Sequence, residues 1–556
     1  MDAVGPLTRR GLARLTAGAL GASLVGRGPD AANAFAEPLW SAPVGTVRAG
    51  TTAMTRSRRF ELIGVQYAGD PDAAVRIRVQ HPDGTLSDWF DARRRHGGVA
   101  EPIWTGPAVA WQLSAATGIE DVTVHLVAPA AATASAAAKA PAYGPAPLPV
   151  LPAGPGQPPI IPRARWATPA CAPRVPPSFG QIDVAFVHHT DGSNAYSRRQ
   201  SAAMVVGICL FHERVNGWHD IGYNFLVDRY GQVFEGRAGG IDEPVIGAHA
   251  GGYNAHSTGV AVMGTFVGAA PPPAAIGSLQ RLLAWKLALH GVPATGTVGV
   301  RAGADIVFYG AYRPGQLVRL KRVSGHRDGD QTDCPGDALY RRLPAIRPHV
   351  AALAGPTYTL SLTVTPLAHP TPIATTTLSA SGTLATAGGA PLAGATVQLQ
   401  SRTLQGATTI ATATTAADGS WQAPLTLAQT TDLRALHADA PAVVSPAVAV
   451  GIAPAVTLSV TPGLTPGVYV ATGTISPAKR KVVIDVNELL APSGKKRIVH
   501  RTVKAPAAGY AASAKLTKPG TYVVVARTLA DAVNAAGASV PVQVVVPAPA
   551  SPAQPQ

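Results

Sequence analysis

A chain of 556 residues is too long for one hydrophobic core, since compact domains run ~100 to 200 residues, so several modules are expected. Only 14% of the residues are charged while 51 are proline and 58 glycine, which favours short strands and turns over long solvated helices. The formal charge of +15 suits an acidic partner, but no nucleic-acid motif accompanies it and the basic runs lack interleaved aromatics, which argues against nucleic acid.

At the start, "LTRRGLARLTAGALGASLVG" sets Arg9 and Arg10 ahead of an apolar run of small residues, with Ala34 and Ala36 as cleavage points. The run falls well short of the ~20 residues that span a bilayer, so residues 1–36 read as a twin-arginine-type signal. A secreted or cell-envelope protein without a stable membrane span is expected. In "VRIRVQHPDGTLSDWF" and neighbouring runs, apolar and polar residues alternate around an Asp83-Gly84 turn, so residues 37–128 are expected to form an N-terminal β module. Residues 129–160, almost all Ala, Pro and Gly, read as a linker.

Between 161 and 354 helix and strand periods mix. "DVAFVHHT" reads as a buried strand with a polar end, and "SRRQSAAMVVGICLFHERVNG" as an amphipathic helix from Ser197. "GYNFLVDRYGQVFEGR" reads as a hairpin, "TGVAVMGTF" as a strand and "SLQRLLAWKLALHG" as a second helix. The expected fold class here is an α/β core with a mixed sheet and flanking helices. Beyond it, "LSLTVTP" ending at Pro366 recurs as "VTLSVTP" ending at Pro462, an internal repeat. Its Val/Thr/Leu runs broken by Gly and Pro predict two immunoglobulin-like β-sandwich modules, 355–452 and 453–546, before a disordered tail at 547–556. "SGKKRIVHRTVK" in the second is either a surface for anionic wall polymers or a solvated strand face.

All three cysteines lie in the α/β segment. Cys171 precedes the first strand and Cys209 sits on the helix after it, so a disulfide between them would staple neighbouring elements. Cys334 is then left over, and a thiolate held by a metal is protected where a free thiol is not. Zinc takes Cys and His ligands, and a catalytic site supplies three of them. His326 and Cys334 offer two from one loop, and His188 at the polar end of "FVHHT" is the best third. His189 is adjacent in the strand, should face the other way, and reads as packing.

"RARWA", "FVHHT", "GWHDIGYNFLVDRYGQVFEGR", "IGAHAGGYNAHSTGVAVMGTF" and "SGHRDGDQTDCPG" stand in one order and spacing. Together they resemble the peptidoglycan recognition protein family, the zinc-dependent N-acetylmuramoyl-L-alanine amidases of type 2, over about a third of the chain. The resemblance implies Zn2+ held by His188, His326 and Cys334, with Tyr223 assisting catalysis and Thr332 a second catalytic position. It implies hydrolysis of the amide between N-acetylmuramic acid and L-alanine of the peptidoglycan stem peptide, here in bacterial wall remodelling. His249 matches a groove position that contacts peptidoglycan, with Asn254 and Arg237 as further groove candidates. Members that bind without cutting commonly lose a ligand, most often the cysteine; the alternative reading is therefore a non-catalytic peptidoglycan-binding wall protein.

The general base is left unassigned, because threonine is a poor one. His212 and His290 read as structural, Trp166 and Trp218 as core aromatics, and Arg327 as a support for the loop of His326. "GRAGGIDEPVIGAHA" is longer than the corresponding wall of animal members, so the choice between diaminopimelate and lysine stays open. "TGTVGVRAGADIVFYGAYRPGQ" is an extension that shapes the cleft or covers the sheet edge.

Overall fold

Strand β9 (Val184–His189) is buried along its whole length, the burial expected of a central strand covered on both faces. The computed structural model describes residues 37–70, 73–92, 101–129, 156–308, 311–365, 378–403, 406–427, 429–439, 441–476, 478–490, 494–506, 509–531 and 534–548. The signal expected over 1–36, nearly all of the linker and most of the tail lie outside these residues. Among the described residues no helix is long and apolar enough to cross a membrane.

Around β9 lies a six-stranded mixed sheet. Its members are β8 (Ile160–Ile161), β9, β10 (Phe225–Val227), β11 (Val233–Glu235), β12 (Ser257–Val262) and β15 (Val323–Gly325), in the order β15-β9-β12-β10-β11-β8. β9, β12, β10 and β15 run parallel, and β10 and β11 form the antiparallel hairpin. Helices α1 (Ser201–Arg214) and α2 (Pro273–Leu289) flank it. The extension after α2 folds as a separate hairpin, β13 (Thr297–Arg301) with β14 (Leu317–Lys321). Its Val300, Val318 and Leu320 pack with Phe186 and Tyr253, backing the sheet beside the site.

The N-terminal segment forms one seven-stranded antiparallel sheet. Its strands are β1 (Leu39–Val47), β2 (Gly50–Thr51), β3 (Thr55–Ala68), β4 (Val75–Gln80), β5 (Phe90–Asp91), β6 (Ile103–Ala115) and β7 (Ile119–Val127). Successive strand residues point to opposite faces. Ile63 and Val65 of β3 enter the sheet's own core, while Leu62 joins Trp104 and Val127 in a cluster with Met204, Ile208 and Phe211 of α1.

That docking corrects the expectation of an amphipathic helix. α1 begins at Ser201 rather than Ser197 and is buried on nearly every side, from Met204 through Glu213. One side meets the mixed sheet and the other meets β3, so the helix is apolar around its circumference.

The chain after 355 forms two pairs of sheets, each pair enclosing its own core. In the first, β16 (Tyr358–Leu360) and β17 (Thr363–Thr365) both pair with β18 (Leu378–Thr386). In the second, Ala455–Val456 and Ser459–Pro462 both pair with Val468–Ser476. The break between the paired pieces presses a carbonyl onto a glycine: a Cβ on Gly382 would lie 2.0 Å from Ser361 O, and one on Gly473 2.0 Å from Thr457 O. The sequence repeat is thus a repeat of this crossing. The first pair docks on the α/β segment, where Ala442 and Val444 share a core with Trp285 of α2.

Candidate metal centre

The register of the parallel strands brings the two histidine segments together. Gly325, the last residue of β15, pairs with Val187, so His326 follows directly beside His188 at the carboxyl end of the sheet. Ligand sites in open parallel sheets form at such ends. The rings of His188 and His326 lie 4.4 Å apart between centroids. The loop then closes on itself: Arg327 N–H donates to Cys334 O at 3.0 Å, returning Cys334 to the side of His326. Arg327 ties the same loop down, donating to Asp337 at 2.6 Å and to Asp333 O.

The ligand atoms of His188, His326 and Cys334 all lie within 4.8 Å of one another, and all three residues are buried. Cys334 Sγ is 3.7 Å from His188 Nδ1. Zinc–sulfur and zinc–nitrogen bonds of ~2.3 and ~2.0 Å around a tetrahedral centre separate the two donors by about 3.5 Å, so this pair fits a shared zinc ion. The opposite ring nitrogens are held. His326 Nε2 lies 2.9 Å from Asp330 Oδ2, and His188 Nε2 lies 3.2 Å from His249 Nδ1, which leaves Nδ1 of each ring for the metal.

His249 is placed differently from its expected groove position. It is 6% exposed and sits behind His188, with the rings 5.1 Å apart and nearly perpendicular. Its slot is cut by glycines: a Cβ on Gly247 or Gly259 would come within 2.4 Å of the imidazole. Burial, then the nearby charges of His326 and Arg237, hold its pKa down to about 3, so the ring is neutral. Asn254 accepts the backbone N–H groups of His249 and Ala250 at 2.8 and 3.1 Å, and so fixes this loop through its carbonyl oxygen. Arg237 donates to Ile246 O at 3.3 Å, holding the same wall from behind.

Tyr223, Thr332, His326 and Cys334 line one small cleft. The Tyr223 ring packs at a tilt against that of His188, 5.4 Å between centroids. Burial, followed by the negative charges of Glu101, Cys334 and Asp191, raises its pKa well above the ordinary phenol value and keeps it a proton donor. Thr332 Oγ1 accepts the N–H of Cys334 at 3.2 Å. His189 reaches the cleft as well, although alternation sends it to the other side of the strand: it is the last residue of β9, and its ring nears Asp191 at 3.8 Å. The wall carries two carboxylates, Asp191 and Glu101, and Glu101 comes from the N-terminal segment.

Away from the cleft, Cys171 and Cys209 are bonded to each other, so the neighbouring Glu213 and Asp220 do not form a metal site with free thiols. Trp166 is buried and donates to Glu235 O at 2.8 Å; Trp218 packs at a tilt against His212, 4.6 Å between ring centroids. The residues that sequence reasoning missed are Asp330, Glu101 and the supporting role of His249. For Asp330 the signal was present, a carboxylate four residues after His326 in "GHRDGD".

The sequence model of the N-acetylmuramoyl-L-alanine amidase family matches residues 178–337. The human N-acetylmuramoyl-L-alanine amidase is 33% identical over 205 residues, 36% of this chain, and the chain spans only 30% of that relative's length. Bovine peptidoglycan recognition protein 1 is 31% identical over 185 residues, covering 33% of this chain and 80% of the relative. Among solved structures, wild-type Drosophila PGRP-LB aligns at 24% identity and a TM-score of 0.26, over 34% of this chain and 92% of that one. Four-fifths of the bovine protein is covered at 31% identity, and the chain belongs to the peptidoglycan recognition protein and N-acetylmuramoyl-L-alanine amidase family.

Proposed function

We propose that the protein is a zinc-dependent N-acetylmuramoyl-L-alanine amidase that cuts the bond between N-acetylmuramic acid and L-alanine of peptidoglycan stem peptides, in bacterial cell-wall remodelling. The observation that carries this reading is the convergence of His188, His326 and Cys334 beside Tyr223. A zinc ion bound there supplies a water of near-neutral pKa and a Lewis acid for the scissile carbonyl. Tyr223, kept protonated, is the donor for the carbonyl oxygen as negative charge builds on it. Asp330 and His249 hold the two imidazoles in orientation from behind. Thr332 shapes the turn before Cys334, because its hydroxyl oxygen is engaged by that residue's N–H.

In this reading the flanking sheets are wall-facing modules: 37–128 ahead of the amidase segment 161–354, and immunoglobulin-like 355–452 and 453–546 behind it. Exposed Lys495, Lys496, Arg501 and Lys504 lie on the edge strand Gly494–Lys504, a cationic strip suited to anionic wall polymers. Export through the twin-arginine route would deliver the protein to that setting. Retention of all three ligand types favours cutting over binding alone. Release of peptides with a new L-alanine amino terminus from purified peptidoglycan tests the reading, and a zinc-loaded protein that binds the wall without releasing peptide would replace it with the binding alternative.

A further inference from the structure

The cleft is not built by the amidase segment alone. Glu101 stands in its wall with Tyr223, His326 and Cys334, yet it belongs to the N-terminal sheet, two residues ahead of β6 and outside the stretch that the family model matches.

Its placement is anchored. Trp104, three residues on, is buried in the cluster shared with α1, and its carbonyl accepts Ser193 N–H at 3.1 Å, two residues past Asp191 of the cleft. Behind it the sheet and α1 interlock through glycines. A Cβ on Gly64 would lie 2.2 Å from the Phe211 ring, and one on Gly207 would lie 3.1 Å from Leu62 and from Pro129. Backbones this close leave little room for sliding, so the carboxylate is carried on a fixed support.

The chemistry of the cleft lacks a group that Glu101 supplies. The three donors converge as a metal set, Tyr223 is a proton donor, and Thr332 is a poor base; of the other wall residues, Asp191 Oδ1 accepts the Thr265 hydroxyl at 3.3 Å and His189 Nδ1 accepts Phe266 N–H at 3.4 Å. Glu101 lines the same cleft but stands outside the set of three whose ligand atoms lie within 4.8 Å of one another.

Resting on the amidase reading, we propose that the N-terminal module is a working part of the active site and that Glu101 is the general base, a catalytic carboxylate supplied from outside the amidase segment. The oxygen of the attacking water forms a bond to the lactyl carbonyl carbon and its proton passes to Glu101. The carbon–nitrogen bond then breaks, and that proton goes to the departing alanine nitrogen. Glu101 ends the cycle as the carboxylate that began it.

The test uses the full zinc-loaded chain, purified peptidoglycan, and the variants Glu101→Gln and Glu101→Ala, with zinc content and zinc affinity measured beside peptide release. Glu101→Gln should keep its zinc at unchanged affinity and lose peptide release by about a hundredfold or more, the usual worth of a general base. Glu101→Ala should regain part of the lost rate when formate is added, since an external carboxylate replaces a base but not a structural contact. A Glu101→Gln protein that cuts as fast as the wild type overturns the proposal while leaving the amidase reading intact. So does one that cuts faster, which would make Glu101 a cover over the site, or one that loses zinc, which would make it a ligand. A wild-type chain that holds zinc and releases no peptide overturns both.

Discussion

Asp330 Oδ2 lies 2.9 Å from His326 Nε2 and accepts Gly251 N–H at the same distance. One buried carboxylate oxygen thus orients the His326 imidazole and ties its loop to the wall that carries His249. Removing it in Asp330→Ala should weaken zinc binding about 10- to 100-fold without removing any ligand. Competition with a chromogenic chelator reads this directly, and an unchanged zinc affinity would show that the contact does not set the ring.

Tyr223→Phe keeps the ring that packs 5.4 Å from His188 and deletes only the hydroxyl. If the phenol stabilises the developing oxyanion, peptide release should fall about a hundredfold or more while zinc content and wall binding stay put. A comparable loss of zinc would instead give the hydroxyl a structural role.

His212 is buried and accepts Gly222 N–H on Nδ1 at 3.1 Å, a bond that requires the neutral ring. Burial, then the charge of Arg237, pushes its pKa to about 3. An unfolded histidine takes a proton near pH ~6.5, so between the two values the unfolded chain binds more protons than the folded one. The contribution is complete above pH ~6.5 and lost as pH falls toward 3, on the order of a few kcal/mol in all. Urea unfolding of the metal-free protein at several pH values should show stability falling across this window. In His212→Asn, which keeps an acceptor, the fall should be shallower; an identical slope would remove His212 from the account.

Arg434 of the first C-terminal sandwich reaches Glu243 at 2.8 Å and Asp242 at 2.7 Å, and Arg402 meets the other oxygen of Glu243 at 2.8 Å. The two acids sit on "AGGIDEPVIG", the stretch that leads to His249. Arg434 is 2% exposed, so its removal takes a partner from the buried carboxylate of Glu243 and the half-buried one of Asp242. Arg434→Ala should destabilise the protein by ~3 to 5 kcal/mol in equilibrium unfolding. A loss below ~1 kcal/mol would be that of a surface pair.

What the sequence revealed and what it hid divide along module boundaries. His188, His326 and Cys334 were legible because each lies in a local motif, and strand register alone then brings the histidines together. The crossing at Gly382 and Gly473 was legible as a repeat, since each copy solves the same local steric problem. α1 misled because its second cover, β3, lies far upstream beyond the Ala/Pro stretch; a helix pattern records how much surface is buried, not by what. Glu101 was invisible for the same reason, having no local motif and belonging to a sheet that read as a separate module. His249 was expected in the groove from the family resemblance alone, which says nothing of the room that Gly247 and Gly259 leave for its ring behind His188.

The central claim is that the three converging donors hold a catalytic zinc ion. Zinc content and peptide release, measured together on the full chain and on Cys334→Ala, test it most directly. The account predicts about one zinc per wild-type chain and release of peptides with a new L-alanine amino terminus, with both lost in the variant. A Cys334→Ala protein that still releases these peptides at the wild-type rate would contradict it.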